Sequence, residues 1–258
     1  MRRVAKATTA VALLLPMLGL AAQEFRRQGR QDTNMGWNPL PNATYDGRFT
    51  FFRVRYEPYG GGRRNLWWDH DYPRAERHFM KILTELTTIR PYMDGGNIYA
   101  FNDPEMFKHP IAYVSEPGHW TMDASELEGL RNYVKKGGFV IFDDFAGYDW
   151  ENFAYRWQEA FPEWQFVQLD PSHPIFNSFF KIEAEMLQSM HHPLQPVQSV
   201  FYGAFEDNDP KKRLVAIANY NNDLGDYMEF SDEGWLPIDL SNEAYKLMVN
   251  YVVYAMTH

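Results

Sequence analysis

Leu127–Tyr148, LEGLRNYVKKGGFVIFDDFAGY, is the stretch on which the fold turns. Leu127, Leu130, Tyr133 and Val134 recur at three- and four-residue spacing, which places them on one face of a helix. Gly137-Gly138 ends that helix, because glycine takes the left-handed conformation of a helix C-terminus without a Cβ penalty. Phe139–Phe142 is then a continuous apolar run, the signature of a strand covered on both faces. Asp143 and Asp144 emerge where it ends, and in open α/β sheets the carboxyl ends of the strands form the ligand crevice.

Outward from this unit, helical and strand patterns alternate. Arg48–Tyr56 reads as a strand, and a helix with Pro73 in its first turn carries the stripe Phe79, Ile82, Leu83, Leu86 and Ile89, capped by Asp71 or Tyr72. Asn97–Phe101 and Ile111–Ser115 follow as strands, and Asp123 or Ser125 caps the central helix. Beyond it come a helix over Trp150–Phe161, a strand over Phe166–Leu169, a strand pair over Ser199–Glu206 and Arg213–Tyr220, and a closing helix over Glu243–Met256. The alternation predicts a flavodoxin-like α/β fold: a mostly parallel sheet with helices on both faces, and an antiparallel edge from the late strand pair.

The 258 residues, 45% hydrophobic and 17% aromatic, suit one sizeable core. Arg2, Arg3 and Lys6 before the apolar run Ala10–Leu20 predict a signal peptide over residues 1–21, and hence export to a periplasmic or extracellular space. A cleaved signal is expected over a retained anchor, because the run is shorter than the roughly 20 residues that span a bilayer. Residues 22–47 read as a linker arm and 48–258 as a single domain. Loss of the three leader cations takes the formal net charge from −9 to −12, which opposes binding to a phosphate backbone, so no nucleic-acid partner is expected. No cysteine occurs, which excludes thiol nucleophiles, disulfides and cysteine-based zinc sites.

FTFFRVRY (49–56), DYPRAERHF (71–79), LRNYVKKGGFVIFDDF (130–145), SHPIF (172–176), NYNNDLGDYME (219–229) and VNYVVYAM (249–256) together resemble the prokaryotic domain-of-unknown-function family 4159. That family is similar in turn to the class I glutamine amidotransferase-like and trehalose-utilisation-type α/β folds. The resemblance implies the fold but no activity, since the amidotransferase nucleophile is a cysteine and this chain has none.

Candidate site residues follow from position. Asp143 and Asp144 point to opposite faces if the strand continues, and into one cleft if it has ended. Asp69 and Asp71 flank His70 before the first helix; with Asp143 and Asp144 they form a candidate set for a divalent cation, against plain helix capping by Asp71. His119 and His173 occupy turns after strands, where imidazole serves as base or ligand, or as a structural turn residue. Asn219–Asp226, including Asn221 and Asp223, adds amides and carboxylates to the same rim. Trp67, Trp68, Trp120, Trp150 and Trp235 fall at strand ends; beside carboxylates they suit the C–H faces of a sugar, and otherwise they pack in the core. Gly60–Arg64 is a second candidate, for an anion, against a solvated loop. Three functions are therefore expected in competition: binding of a polar small molecule, glycan or cell-envelope fragment; metal-assisted hydrolysis by the clustered Asp and His; and docking to an envelope protein partner.

Overall fold

In the computed structural model, which describes residues 40–50, 52–60, 66–93, 96–195 and 197–258, seven strands form one sheet. They are β1 (Phe52–Val54), β2 (Asn97–Tyr99), β3 (Ile111–Ser115), β4 (Phe139–Phe145), β5 (Phe166–Gln168), β6 (Val200–Phe205) and β7 (Leu214–Tyr220), in the order β2-β1-β3-β4-β7-β6-β5. The first five in that order run parallel, and β6 is antiparallel to both its neighbours. The expected mostly parallel sheet with an antiparallel edge is what forms. Because β2 and β3 lie on opposite sides of β1, the chain reverses its direction of travel between β1 and β3, and in open α/β sheets the carboxyl ends of the strands at such a point are where ligands bind.

Side-chain alternation along each strand feeds two cores. On one face Tyr113, Ile141 and Ile217 pack with Phe79 and Leu83 of α1 (Arg74–Leu86) and with Met248, Tyr251 and Val252 of α6 (Ile238–Thr257). On the other, Val114, Val140 and Phe142 meet Leu130 and Val134 of α2 (Ala124–Lys135), and Phe153 and Trp157 of α3 (Asp149–Ala160). Two short helices, α4 (Ala184–Ser189) and α5 (Leu224–Glu229), complete the first face.

The central unit forms for the expected reasons. Asp123 and Glu126 close a capping box at the start of α2. Gly137 has φ +106°, and the Gly138 amide donates to the Tyr133 carbonyl, which stops the helix and turns the chain into β4. Two boundaries differ from expectation. α1 starts after Pro73 and takes no side-chain cap, so Asp71 is released from that role. The end of the arm is also not a free linker: Asn42 exchanges hydrogen bonds with the Ile98 backbone (2.9 and 2.8 Å) and covers the open edge of β2.

Residues Leu40–His258 make one compact unit, while the segment expected to be a signal, the arm up to residue 39 and the candidate residues Gly61–Arg64 lie outside the described residues. No helix among the described residues is long and apolar enough to cross a membrane.

Candidate metal centre

The floor of the crevice is built first, and Asp143 is its centre. Asp143 is fully buried on the α5 and α6 face of the sheet, and it accepts from Tyr113 Oη (2.7 Å), Asn219 Nδ2 (2.9 Å) and the Gly225 amide (3.1 Å). Tyr251 of α6 donates to Asn219 Oδ1 at 2.9 Å and fixes that amide in turn. Asp143 is therefore a structural anchor, and it leaves the expected cation set because its oxygens already take these bonds.

Asp144 takes the other direction. The pairing of β4 with β7 shifts register between Phe142 and Phe145, and Asp144 adopts φ +59° at that irregularity. Its carboxylate Oδ1 lies 3.4 Å from His192 Nε2. Five of the seven non-glycine residues with positive φ among the described residues lie along this edge: Trp67, Asp71, Glu116, Asp144 and Asn221. Such conformations persist where the surroundings over-determine them, and they gather at functional sites.

A second wall is held by Arg53. Almost wholly buried on β1, it donates to Glu76 Oε1 (2.6 Å) and to the carbonyls of Trp68 (3.0 Å) and His70 (2.6 Å), which ties down the segment carrying Asp69, His70 and Asp71. Asp71 then reaches under α5. Its Oδ2 is buried and lacks a hydrogen-bond partner, and a Cβ on Gly225 would stand 2.2 Å from it. Gly225→Ala is accordingly expected to push that carboxylate aside and to cost about 1–3 kcal/mol of stability, measured by urea denaturation.

Around Asp71 and Asp144 the structure places Asp223, Asp226, Glu116, His70 and His192. Ligand atoms lie within 4.8 Å of one another in three groups: His70, Glu116 and Asp144; Asp144, His192 and Asp223; and Asp71, Asp223 and Asp226. Burial pushes the Asp144, Asp223 and Asp226 carboxyls well above the usual range, and neighbouring carboxylates add to it. Burial likewise raises Asp71 to about 6, against the pull of Arg53 and His70. Burial and the neighbouring His191 hold His192 down at about 4, so its imidazole is neutral near pH 7. Burial opposes charge on His70 too, but its hydrogen bond to Glu116 and the adjacent aspartates raise it to about 9, and the two form an ion pair.

Several sequence candidates fall outside this group. Trp68 and Trp120 are core residues, Trp150 packs on Tyr202 and Tyr220, and Trp235 stacks on Phe230. His173 lies at the opposite edge, against Phe205 and Tyr254: β6 is reversed, and Phe205 pairs with Leu214 at the start of β7. Asn221 accepts from the Gly147 amide and donates to the Gln198 carbonyl, so it braces loops. Asp69 is buried nearby but belongs to none of the three groups. His119 is at the mouth, stacked on Trp67 (centroids 3.8 Å apart) and 3.7 Å from Glu116. Glu116 and His192 were not found from sequence: Glu116 had only its position after β3 as a signal, and His192 lies in a stretch without periodicity.

The fold and the site together define an open α/β domain with a cluster of acidic side chains at the carboxyl ends of its strands. The chain belongs to the family described as Domain of unknown function (DUF4159), whose family model matches residues 50–256. No curated protein matches it.

Proposed function

We propose that the crevice binds a divalent cation and, through it, a polar, hydroxyl-rich ligand such as a glycan or cell-envelope fragment. The observation that carries this reading is Asp71 Oδ2, a buried carboxylate oxygen without a hydrogen-bond partner, in a cluster with Asp223 and Asp226 and close to Asp144. A dry, unpaired carboxylate costs several kcal/mol, and Arg53, the nearest guanidinium, is already engaged by Glu76. An all-oxygen set from Asp71, Asp223 and Asp226 suits a hard ion, magnesium, calcium or manganese, over zinc.

Three protein carboxylates leave coordination positions open towards the mouth. There Trp67 stacks on His119, while Tyr59 and Tyr148 are 69% and 89% exposed at the same edge of the sheet. Aromatic faces beside an ion are the combination that takes a sugar ring, with hydroxyls on the metal and C–H faces on the rings. The leader-like pattern over residues 1–21 supports an exported protein meeting such ligands outside the cytoplasm.

The test is calorimetric titration of chelator-treated full-length protein with Mn2+, Mg2+ and Ca2+, followed by an array of glycans with and without the ion. Saturable ion binding, glycan capture only in its presence, and at least tenfold weaker capture by Trp67→Ala are the expected results. Absence of any ion binding would end the proposal.

A further inference from the structure

We infer that the crevice is built for two cations bridged by Asp223, not for one. This inference rests on the cation reading above, and it concerns how many ions that site holds and where the second one lies.

The three groups of ligand atoms are not three separate sites. Asp144 belongs to two of them and Asp223 to two. In the group of His70, Glu116 and Asp144, His70 Nδ1 and a Glu116 oxygen are already taken up with each other. The two that remain, Asp71 with Asp223 and Asp226, and Asp144 with His192 and Asp223, have Asp223 in common. A carboxylate has two oxygens, and one shared between adjacent positions is what bridges the ions of two-metal centres, which stand roughly 3.5–4 Å apart.

The independent pointer to an absent ion is again Asp71 Oδ2: Asp71 is only 8% exposed, and this oxygen is aimed at α5, which begins beside the shared Asp223.

The second position has its own geometry. Asp144 Oδ1 and His192 Nε2 are 3.4 Å apart, longer than the roughly 2.7–2.9 Å of a charge-assisted hydrogen bond. Two ligand atoms bound side by side to one ion, each about 2.1 Å from it, stand about 3 Å apart, so a small inward movement seats the ion between them. His192 Nδ1 now accepts the Leu194 amide at 3.2 Å. Ligation through Nε2 moves the ring proton to Nδ1 and releases that long bond. The first position is all oxygen and the second is mixed oxygen and nitrogen, and manganese suits both.

Mn2+ is therefore the probe, read by calorimetric stoichiometry and by electron paramagnetic resonance on the chelator-treated full chain. The expected result is two ions per chain and an exchange-coupled spectrum. Asp144→Asn keeps a residue type that tolerates positive φ, and should bring the stoichiometry from two to one and leave the uncoupled six-line signal of a single ion. His192→Gln, which does not touch the strained backbone, should do the same and covers the case in which the first variant fails to fold. Wild-type protein that binds one ion, with an uncoupled signal and an unchanged count in both variants, overturns the second site while leaving the cation reading standing. Wild-type protein that binds none overturns both.

Discussion

Chelator-treated protein is expected to gain about 5–10 °C in melting temperature when a suitable divalent cation is added at a hundredfold excess over its dissociation constant. Binding to the folded state alone contributes about 2.7 kcal/mol at that excess, and about 1 kcal/mol moves a domain of this size by roughly 2–4 °C. Asp223→Asn separates this expectation from an ordinary salt effect. Asn caps a helix as well as Asp does, so the bond from the Asp226 amide that starts α5 should survive. The variant nevertheless loses a buried negative charge from the centre of the cluster. Its chelated form should melt a few degrees above chelated wild type, because one member of a like-charged group has been neutralised. Its response to the cation should disappear. A variant that melts lower than wild type and still responds would mean that Asp223 is only a cap.

Arg53→Met is expected to destabilise the protein by about 3–5 kcal/mol, read from urea denaturation, because it leaves the Glu76 carboxylate buried and uncompensated. The double variant Arg53→Met with Glu76→Gln should recover part of that loss, since the stranded charge is gone. The recovery should not extend to cation binding. Arg53 also holds the carbonyls of Trp68 and His70, and so positions Asp71, whereas Glu76 does not. Equal recovery of stability and cation affinity in the double variant would show that the arginine neutralises the glutamate without placing the wall.

Most of the sheet was legible in the sequence because its signals are local. The apolar run of β4, the Asp123 box and the Gly137-Gly138 stop are each written in a few adjacent residues, and they form as read. The short α5 was hidden inside NYNNDLGD, which reads as a polar loop. The site was legible only in part. The sequence left open whether Asp143 and Asp144 part company or share a cleft; β4 runs on to Phe145, so they part, and which one is the more exposed depends on the register shift against β7. Trp68 is wholly in the core while its neighbour Trp67 is half-buried at the margin of that core and stacked on His119, and no pattern around them distinguishes the two. Glu116 and His192 enter from distant segments, so only the assembled sheet brings them together.

The bonds around Asp143 carry one more consequence. Strands β3, β4 and β7 and helices α5 and α6 all meet at that carboxylate, directly or through Asn219. Ground fastened from so many directions does not give way easily. If a ligand binds as proposed, the accommodation it demands falls to the residues above that floor, Trp67, His119 and Tyr148.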